Sequence, residues 1–356
     1  MSLKSKSKIC IILPNLNLGG AQLNTIRIAK ILENIYEVYF IVLRNDGFYI
    51  NEFNKLQSKK IFFRKSKYKI ASIYNFYKLL EKINPDYLFT GIYFFNLLII
   101  VFAKFIFINN VKIIIRETAV ISKMRINFIL KSIYFKIINL ADVIISQSTD
   151  MTNDFVHNGK INPNKVFQIE NPVYKQNIKN LSKSTNKNYY LIIGRLEKEK
   201  NVLGFLKAFN KIKNKPNILI IGEGSELKKI KTYVSLNLLE KFVKIIGYQK
   251  KIGKYFLNSK ALILPSMVEG FPNIAIESLS FGTPVLSNSF SGGINQIINK
   301  TNGLVIDISN PIELEFAFNY FDNKKFERNK ISKEIIKLFG HKKFEKKILN
   351  VFKNKL

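Results

Sequence analysis

Cysteine, tryptophan and histidine are almost missing from this chain of 356 residues. The single cysteine, Cys10, has no internal disulfide partner and fits a reducing compartment. Two histidines, His157 and His341, lie far from each other and from Cys10, so no metal-ligand spacing exists and a zinc enzyme is not expected. Acidic groups are scarce as well: 25 Asp and Glu stand against 57 Lys and Arg, a formal net charge of +32. The N-terminus, MSLKSKSKIC, has no long apolar run before the first strand, so no signal peptide is expected.

The excess of base points to a polyanionic partner, but it is spread over both halves, +13 over residues 1–172 and +19 over 173–356. Two readings stay open: a surface attractive to anionic lipid or nucleic acid, and a Lys-, Ile- and Asn-rich composition that reflects AT-rich coding. Hydrophobic residues make up 47% of the chain, enough for a large core and too many for general disorder. The length admits two domains of ordinary size.

The most informative stretch runs from Ser266 to Pro284, SMVEGFPNIAIESLSFGTP. The apolar run Ala261 to Leu264 ahead of it reads as a buried parallel strand, and Ile274 to Leu279 behind it has helical spacing, with Asn273 placed to cap it. Glu269 therefore falls on the loop leaving a strand and Glu277 a turn into the next helix. Loops at the carboxyl ends of such strands are where ligands bind in open α/β sheets. Two carboxylates there can accept the hydroxyls of a polyol, and the helix N-terminus suits an anion. Two ordinary solvent-facing charges, one favoured by the helix dipole, give the same pattern.

The motif E-G-F-P-N with a second Glu eight residues after the first, followed by F-G-T-P-V, resembles the signature of the retaining nucleotide-sugar glycosyltransferases of group 1, family 4, which have the GT-B fold. Other pieces match in the family's order. After the strand Ile9 to Leu13 comes the glycine loop Gly19-Gly20, where relatives touch the donor's distal phosphate and sugar. Paired glycines admit close backbone approach and positive φ. After the strand Tyr189 to Ile193, Arg195 and Lys200 stand where relatives hold the donor diphosphate, although Asn201 replaces the usual glycine. A planar guanidinium fork and an ammonium suit that charge. The resemblance implies that Gly247 and Tyr248 lie near the nucleotide base, that Gly270, Phe271, Pro272 and Asn273 line the donor, that Glu269 contacts the sugar and that Glu277 contacts the ribose. Arg116-Glu117 ends another strand, at a loop that meets sugar or acceptor in relatives. It lacks their histidine, and the alternative is a local ion pair, worth little if exposed.

Strand and helix alternate in both halves, so the expected fold is two doubly wound Rossmann-like domains facing across a cleft. The expected divisions are an acceptor-side domain over 1–173, a polar linker over 174–188, a nucleotide-sugar domain over 189–335, and a helix over 336–356 that crosses back. The nearly apolar run from Tyr87 to Ile108 is long enough to span a bilayer, but Lys104 and Gly91 favour strand, helix and strand. Segment 59–69 mixes lysines with Phe62, Phe63 and Tyr68, and fits a membrane surface, single-stranded nucleic acid or a solvated loop. Along 125–140 the residues Ile126, Ile129, Leu130, Ile133, Ile137 and Leu140 form one stripe, expected to pack into the core, with docking on a membrane as a second reading.

The expected function is transfer of a sugar from a nucleoside diphosphate donor, UDP-linked, to a glycan or lipid-linked acceptor in cell-surface polysaccharide, lipopolysaccharide or glycoprotein glycan assembly. Neither cofactor nor metal is expected, because Arg, Lys and a helix dipole take the diphosphate charge. The expected place is the cytoplasm, with peripheral contact at the inner face of the plasma membrane. Two rivals are a nucleotide-sugar epimerase or hydrolase of the same fold and a basic nucleic-acid-binding protein.

Overall fold

The structure, a computed structural model, describes residues 6–44, 47–63, 69–107, 110–124, 126–174, 188–290 and 292–354. The chain divides into two units, Met1–Asn171 with Phe344–Leu356 and Pro172–Lys343. The expected linker lies mostly at 175–187, outside the described residues, as do residues 64–68 of the aromatic–basic segment and Arg125.

The first unit is a seven-stranded sheet built from β1 (Lys8–Leu13), β2 (Glu37–Val42), β3 (Lys59–Phe62), β4 (Tyr87–Thr90), β5 (Lys112–Arg116), β6 (Val143–Ser146) and β7 (Val166–Gln168). Their order is β3-β2-β1-β4-β5-β6-β7, and each neighbouring pair is parallel. The second holds β8 (Tyr189–Ile193), β9 (Asn217–Ile221), β10 (Val243–Ile245), β11 (Leu262–Leu264), β12 (Val285–Asn288) and β13 (Gly303–Ile306), in the order β10-β9-β8-β11-β12-β13, again parallel. Each order reverses direction once, between β1 and β4 and between β8 and β11. Adjacent loops part at such a point and leave room for a ligand.

Helices cover both faces of each sheet, which explains the unbroken apolar strands. Along β1, Cys10 and Ile12 join one core while Ile9, Ile11 and Leu13 join the other. Along β8, Tyr190 and Ile192 face one way and Leu191 the other. Burial of Cys10 pushes its thiol well above the ordinary range, so it is an inert core residue.

The apolar run from Tyr87 resolves into β4, the helix Phe95–Phe102, a π-helical turn Ala103–Phe107 and β5. Among the described residues no helix is long and apolar enough to cross a membrane. The C-terminal region, read as one helix from the sequence, is two, Arg328–Phe339 and His341–Asn354, broken at Gly340. The break lets Val173 bridge to Gly340 and donate its N–H to the Phe339 carbonyl at 2.7 Å. Phe344, Ile348, Val351 and Phe352 then pack into the first unit's core, where the Tyr36 hydroxyl donates to the Phe352 carbonyl at 2.5 Å.

One expectation is reversed. The stripe on the Phe128–Ile138 helix faces outward: Ile129, Leu130 and Ile133 are exposed, and Tyr134, Phe135 and Ile138 are the buried residues. Hydrophobic periodicity marks a face but not its direction, and with aromatics on the other side of this helix both faces are apolar. Segment 59–69 is reversed in part, since Phe63 packs edge-on against Phe76 at 5.4 Å and is not free to reach a partner.

Candidate active site

The site in the second unit is assembled at its switch point, where β8 and β11 lie side by side. After β8 the chain turns through Gly194 and presents Arg195, then a single 3-10 turn, Lys198–Lys200, that ends at Asn201 in the left-handed region at φ 52. Asn is one of the few side-chain-bearing residues that tolerate this conformation, which explains why it can replace a glycine here. After β11, residues 265–272 lead into the helix Asn273–Ser280. The Met267 N–H donates to the Glu199 carbonyl at 2.9 Å and joins the two loops.

At the junction the Lys200 ammonium donates to Glu269, which also accepts from the Ser266 hydroxyl at 2.8 Å. The two side chains are 22% and 14% exposed, so the pair is shielded yet open on one side. Arg195 is 63% exposed, with its guanidinium 3.5 Å from Glu199. A recess lined by Gly194, Arg195, Lys200, Val202, Leu264 and Ser266 sits beside them.

Neighbouring loops brace this arrangement. A Cβ at Gly222 would lie 1.8 Å from the Gly194 carbonyl oxygen, and a Cβ at Gly292, where φ is +122, would lie 1.6 Å from that of Glu269. Only glycine lets these loops press on the site from the β9 and β12 sides. Glu197 accepts from the Ser225 N–H and hydroxyl, bonds that hold its carboxyl below the usual range. Asn288 donates to the Ser266 carbonyl at 3.1 Å and steadies the base of the Glu269 loop.

The other predicted residues divide. Asn273 is not the cap: Pro272 holds that position without a side-chain bond, and Asn273 is the first helical residue. Asn273 and Glu277 are four apart and share a face, while Ala275, Ile276 and Leu279 are buried. Phe271 is buried against Phe339 at 5.7 Å, and Pro272 is buried too, so these two shape the loop and leave Gly270 and the backbone to meet a ligand. Gly247 takes φ +70 after β10, and the Tyr248 N–H points at Glu223 at 3.5 Å.

In the first unit, Gly19 is extended at φ 179 and Gly20 opens the helix Gly20–Leu32; neither uses the positive φ expected of the pair. With no side-chain cap at Gly19, the first-turn N–H groups of that helix face the loop. Arg116 and Glu117 are not an exposed ion pair. Both are buried, Arg116 donates to Asn171, and Glu117 accepts from Asn96 at 2.6 Å and from Tyr134 at 3.2 Å. Burial raises the Glu117 carboxyl to about 7 and lowers the Arg116 guanidinium to about 9. The Asn171 side chain also accepts from the Asn24 amide and donates to that of Gln147, so this network clamps the residue that ends the first unit's longer segment.

Sequence reading missed Ser266, Glu223 and Gly292 as parts of the site. The available signal was their position, small or acidic residues immediately after strands. Among the described residues no group of three or more His, Cys, Asp or Glu could hold a metal ion.

Two parallel Rossmann-like units, with cations and a carboxylate at the second unit's switch point, define the GT-B class of fold. Residues 173–338 match the model of the glycosyl transferases group 1 family. A Campylobacter jejuni N-acetylgalactosamine-N,N'-diacetylbacillosaminyl-diphospho-undecaprenol 4-alpha-N-acetylgalactosaminyltransferase is 26% identical over 57% of this chain and 58% of that protein. The chain is thus matched over little more than half of that relative's length. A second enzyme of the same organism, a GalNAc-alpha-(1->4)-GalNAc-alpha-(1->3)-diNAcBac-PP-undecaprenol alpha-1,4-N-acetyl-D-galactosaminyltransferase, is 26% identical over 86% of each chain. Among solved structures, the lipopolysaccharide outer core galactosyltransferase WaaB superposes with a TM-score of 0.77 at 21% identity, covering 98% of this chain and 100% of that one. Anabaena HepE in complex with UDP and glucose gives 0.81 at 15% identity over 98% and 100%.

Proposed function

We propose that the protein transfers a sugar from a nucleoside diphosphate donor, UDP-linked, to a lipid-linked saccharide during cell-surface polysaccharide or lipopolysaccharide assembly. The observation that carries this reading is the Arg195, Lys200 and Glu269 constellation beside the helix Asn273–Ser280. Support comes from the family match, from relatives named for undecaprenol-linked saccharides, and from UDP in a neighbour of the same fold.

In this mechanism Arg195 and Lys200 meet the diphosphate as the glycosidic bond breaks and negative charge gathers on the leaving group. Stabilising that developing charge is the largest electrostatic contribution available to such a site. Glu269 orients the sugar hydroxyls, and Glu277, half-buried on its helix, takes the ribose hydroxyls. Gly247, Tyr248 and Gly270 contact the donor mainly through backbone groups. Gly19 and Gly20 are assigned to the donor's distal phosphate by the resemblance alone. The buried engagement of Arg116 and Glu117 makes them positioning residues for their loop. Retention of anomeric configuration and independence of metal are part of the proposal, the second because two cations and a helix N-terminus already offset the diphosphate. The nucleotide sugar is a substrate, and no separate cofactor is assigned. The acceptor's lipid places the reaction at the cytoplasmic face of an anionic membrane.

A thermal-shift panel of nucleotide sugars followed by transfer to a lipid-diphosphate saccharide tests the reading. A stabilising donor and an extended product are expected. Release of free sugar or of an epimer without acceptor would replace it with the hydrolase or epimerase reading.

A further inference from the structure

We propose that the outer face formed by the helices Phe95–Phe102 and Phe128–Ile138 and the turn between them in space, Ala103–Phe107, docks on a bilayer of anionic phospholipid. The inference deepens the lipid-linked acceptor reading by naming the surface that brings the enzyme to its substrate. Leu98, Phe105, Phe128, Ile129, Leu130 and Ile133 are between 46% and 82% exposed there. Isolated exposed apolar residues are ordinary, but so many large ones on two touching helices are not. The helices are held together by the Tyr93 and Tyr134 rings, stacked at 5.2 Å, and by Phe94 edge-on to Tyr134 at 6.1 Å. Their inner residues Ile99, Ile100, Tyr134, Phe135 and Ile138 are already in the core, so turning the outer face inward is closed to it.

Charge selects the occupant. From Tyr87 to Ala141 the chain carries seven Lys and Arg and one acidic residue, Glu117, which is buried. Lys123 and Lys136 are exposed beside the apolar patch, and so is Lys104, whose ammonium lies 3.7 Å from the Asp142 carboxylate. An apolar centre with a mainly basic margin, in which the part-exposed Asp142 sits beside Lys104, fits lipid headgroups and acyl chains, the pattern of helices that lie in a membrane interface. A second copy is a poorer match, because a two-fold contact would set this basic margin against itself. With no helix able to span a bilayer among the described residues, the contact is with one leaflet.

The full chain contains no tryptophan, so Phe128→Trp places a single reporter on the face. Titration with phosphatidylglycerol-containing vesicles, without donor or acceptor, is expected to shift its emission to the blue. Binding should be about tenfold or more tighter than to phosphatidylcholine alone and should weaken as salt is raised. Ile129→Asp with Ile133→Asp is expected to lower partitioning about tenfold or more while leaving the melting temperature unchanged, since both side chains are exposed. Equal binding to neutral vesicles, no spectral shift, or undiminished binding by the double variant would overturn the proposal. So would a dimer, seen by sedimentation, that the double variant dissolves. Transfer to a water-soluble acceptor is measured in parallel: its loss in the wild type counts against the glycosyltransferase reading, and vesicle binding decides the docking face by itself.

Discussion

Replacing Glu269 by Gln probes the Lys200–Glu269 contact directly. In the structure the Lys200 ammonium is held by Glu269, so a donor diphosphate must compete with that carboxylate for it. Two unit charges about 4 Å apart attract by about 4 kcal/mol at an effective dielectric of about 20. Desolvation and side-chain ordering reduce the net value of a partly shielded pair to about 1–2 kcal/mol. The amide removes that competition while its oxygen can still accept from Ser266. UDP binding by Glu269→Gln should therefore strengthen about tenfold, the equivalent of about 1.4 kcal/mol. Turnover should fall by about 10²–10³, because the charge that orients the donor sugar is gone. Isothermal titration calorimetry with UDP and initial rates with the full donor give the two readouts. A folded variant that binds UDP no better than wild type would show that Lys200 serves Glu269 and not the diphosphate.

Arg195→Ala should lose about 10²–10³ in turnover with no change in melting temperature, because the side chain is exposed and its ion pair with Glu199 is a long surface contact at 3.5 Å. A variant with wild-type rates would remove Arg195 from the mechanism. Gly292→Ala should destabilise by about 2–3 kcal/mol in denaturant unfolding, since the added methyl meets the Glu269 carbonyl at a left-handed φ; an unchanged midpoint would refute the close approach. Glu117, raised from 4.5 to about 7 by burial, confers stability that is complete below pH 4.5 and lost as pH climbs to about 7. Glu117→Gln should therefore gain on wild type by about 3 kcal/mol between those limits, and parallel stability curves would contradict it. Exhaustive chelation should leave the transfer rate intact; recovery of a lost rate on adding magnesium would establish a metal requirement.

Much of the fold is legible because strands buried on two faces must be apolar throughout and must end at turn residues. β1, β8 and β11 stand out in that way, and so does the helix after Glu269. The candidate site is legible as far as residue type and position after a strand can take it: Arg195, Lys200, Glu269 and Glu277. Asn273 was misread because capping depends on the local backbone, and here proline holds the cap position. Arg116 and Glu117 were misread because a charged pair at a strand end looks solvated until the partners that bury it, Asn171, Asn96 and Tyr134, are brought from distant segments.

Local pattern alone therefore determined the strand and helix alternation, the parallel character of the sheets and which loops leave the carboxyl ends of the strands, since each depends on neighbours a few residues away. Tertiary structure alone decided that Lys200 meets Glu269 across 69 positions of sequence, that Gly292 lies against the same loop, and that the apolar stripe of residues 128–138 faces outward. Those outcomes depend on which surfaces are left over once the sheets have taken what they bury, a property of the whole packing and of no single segment.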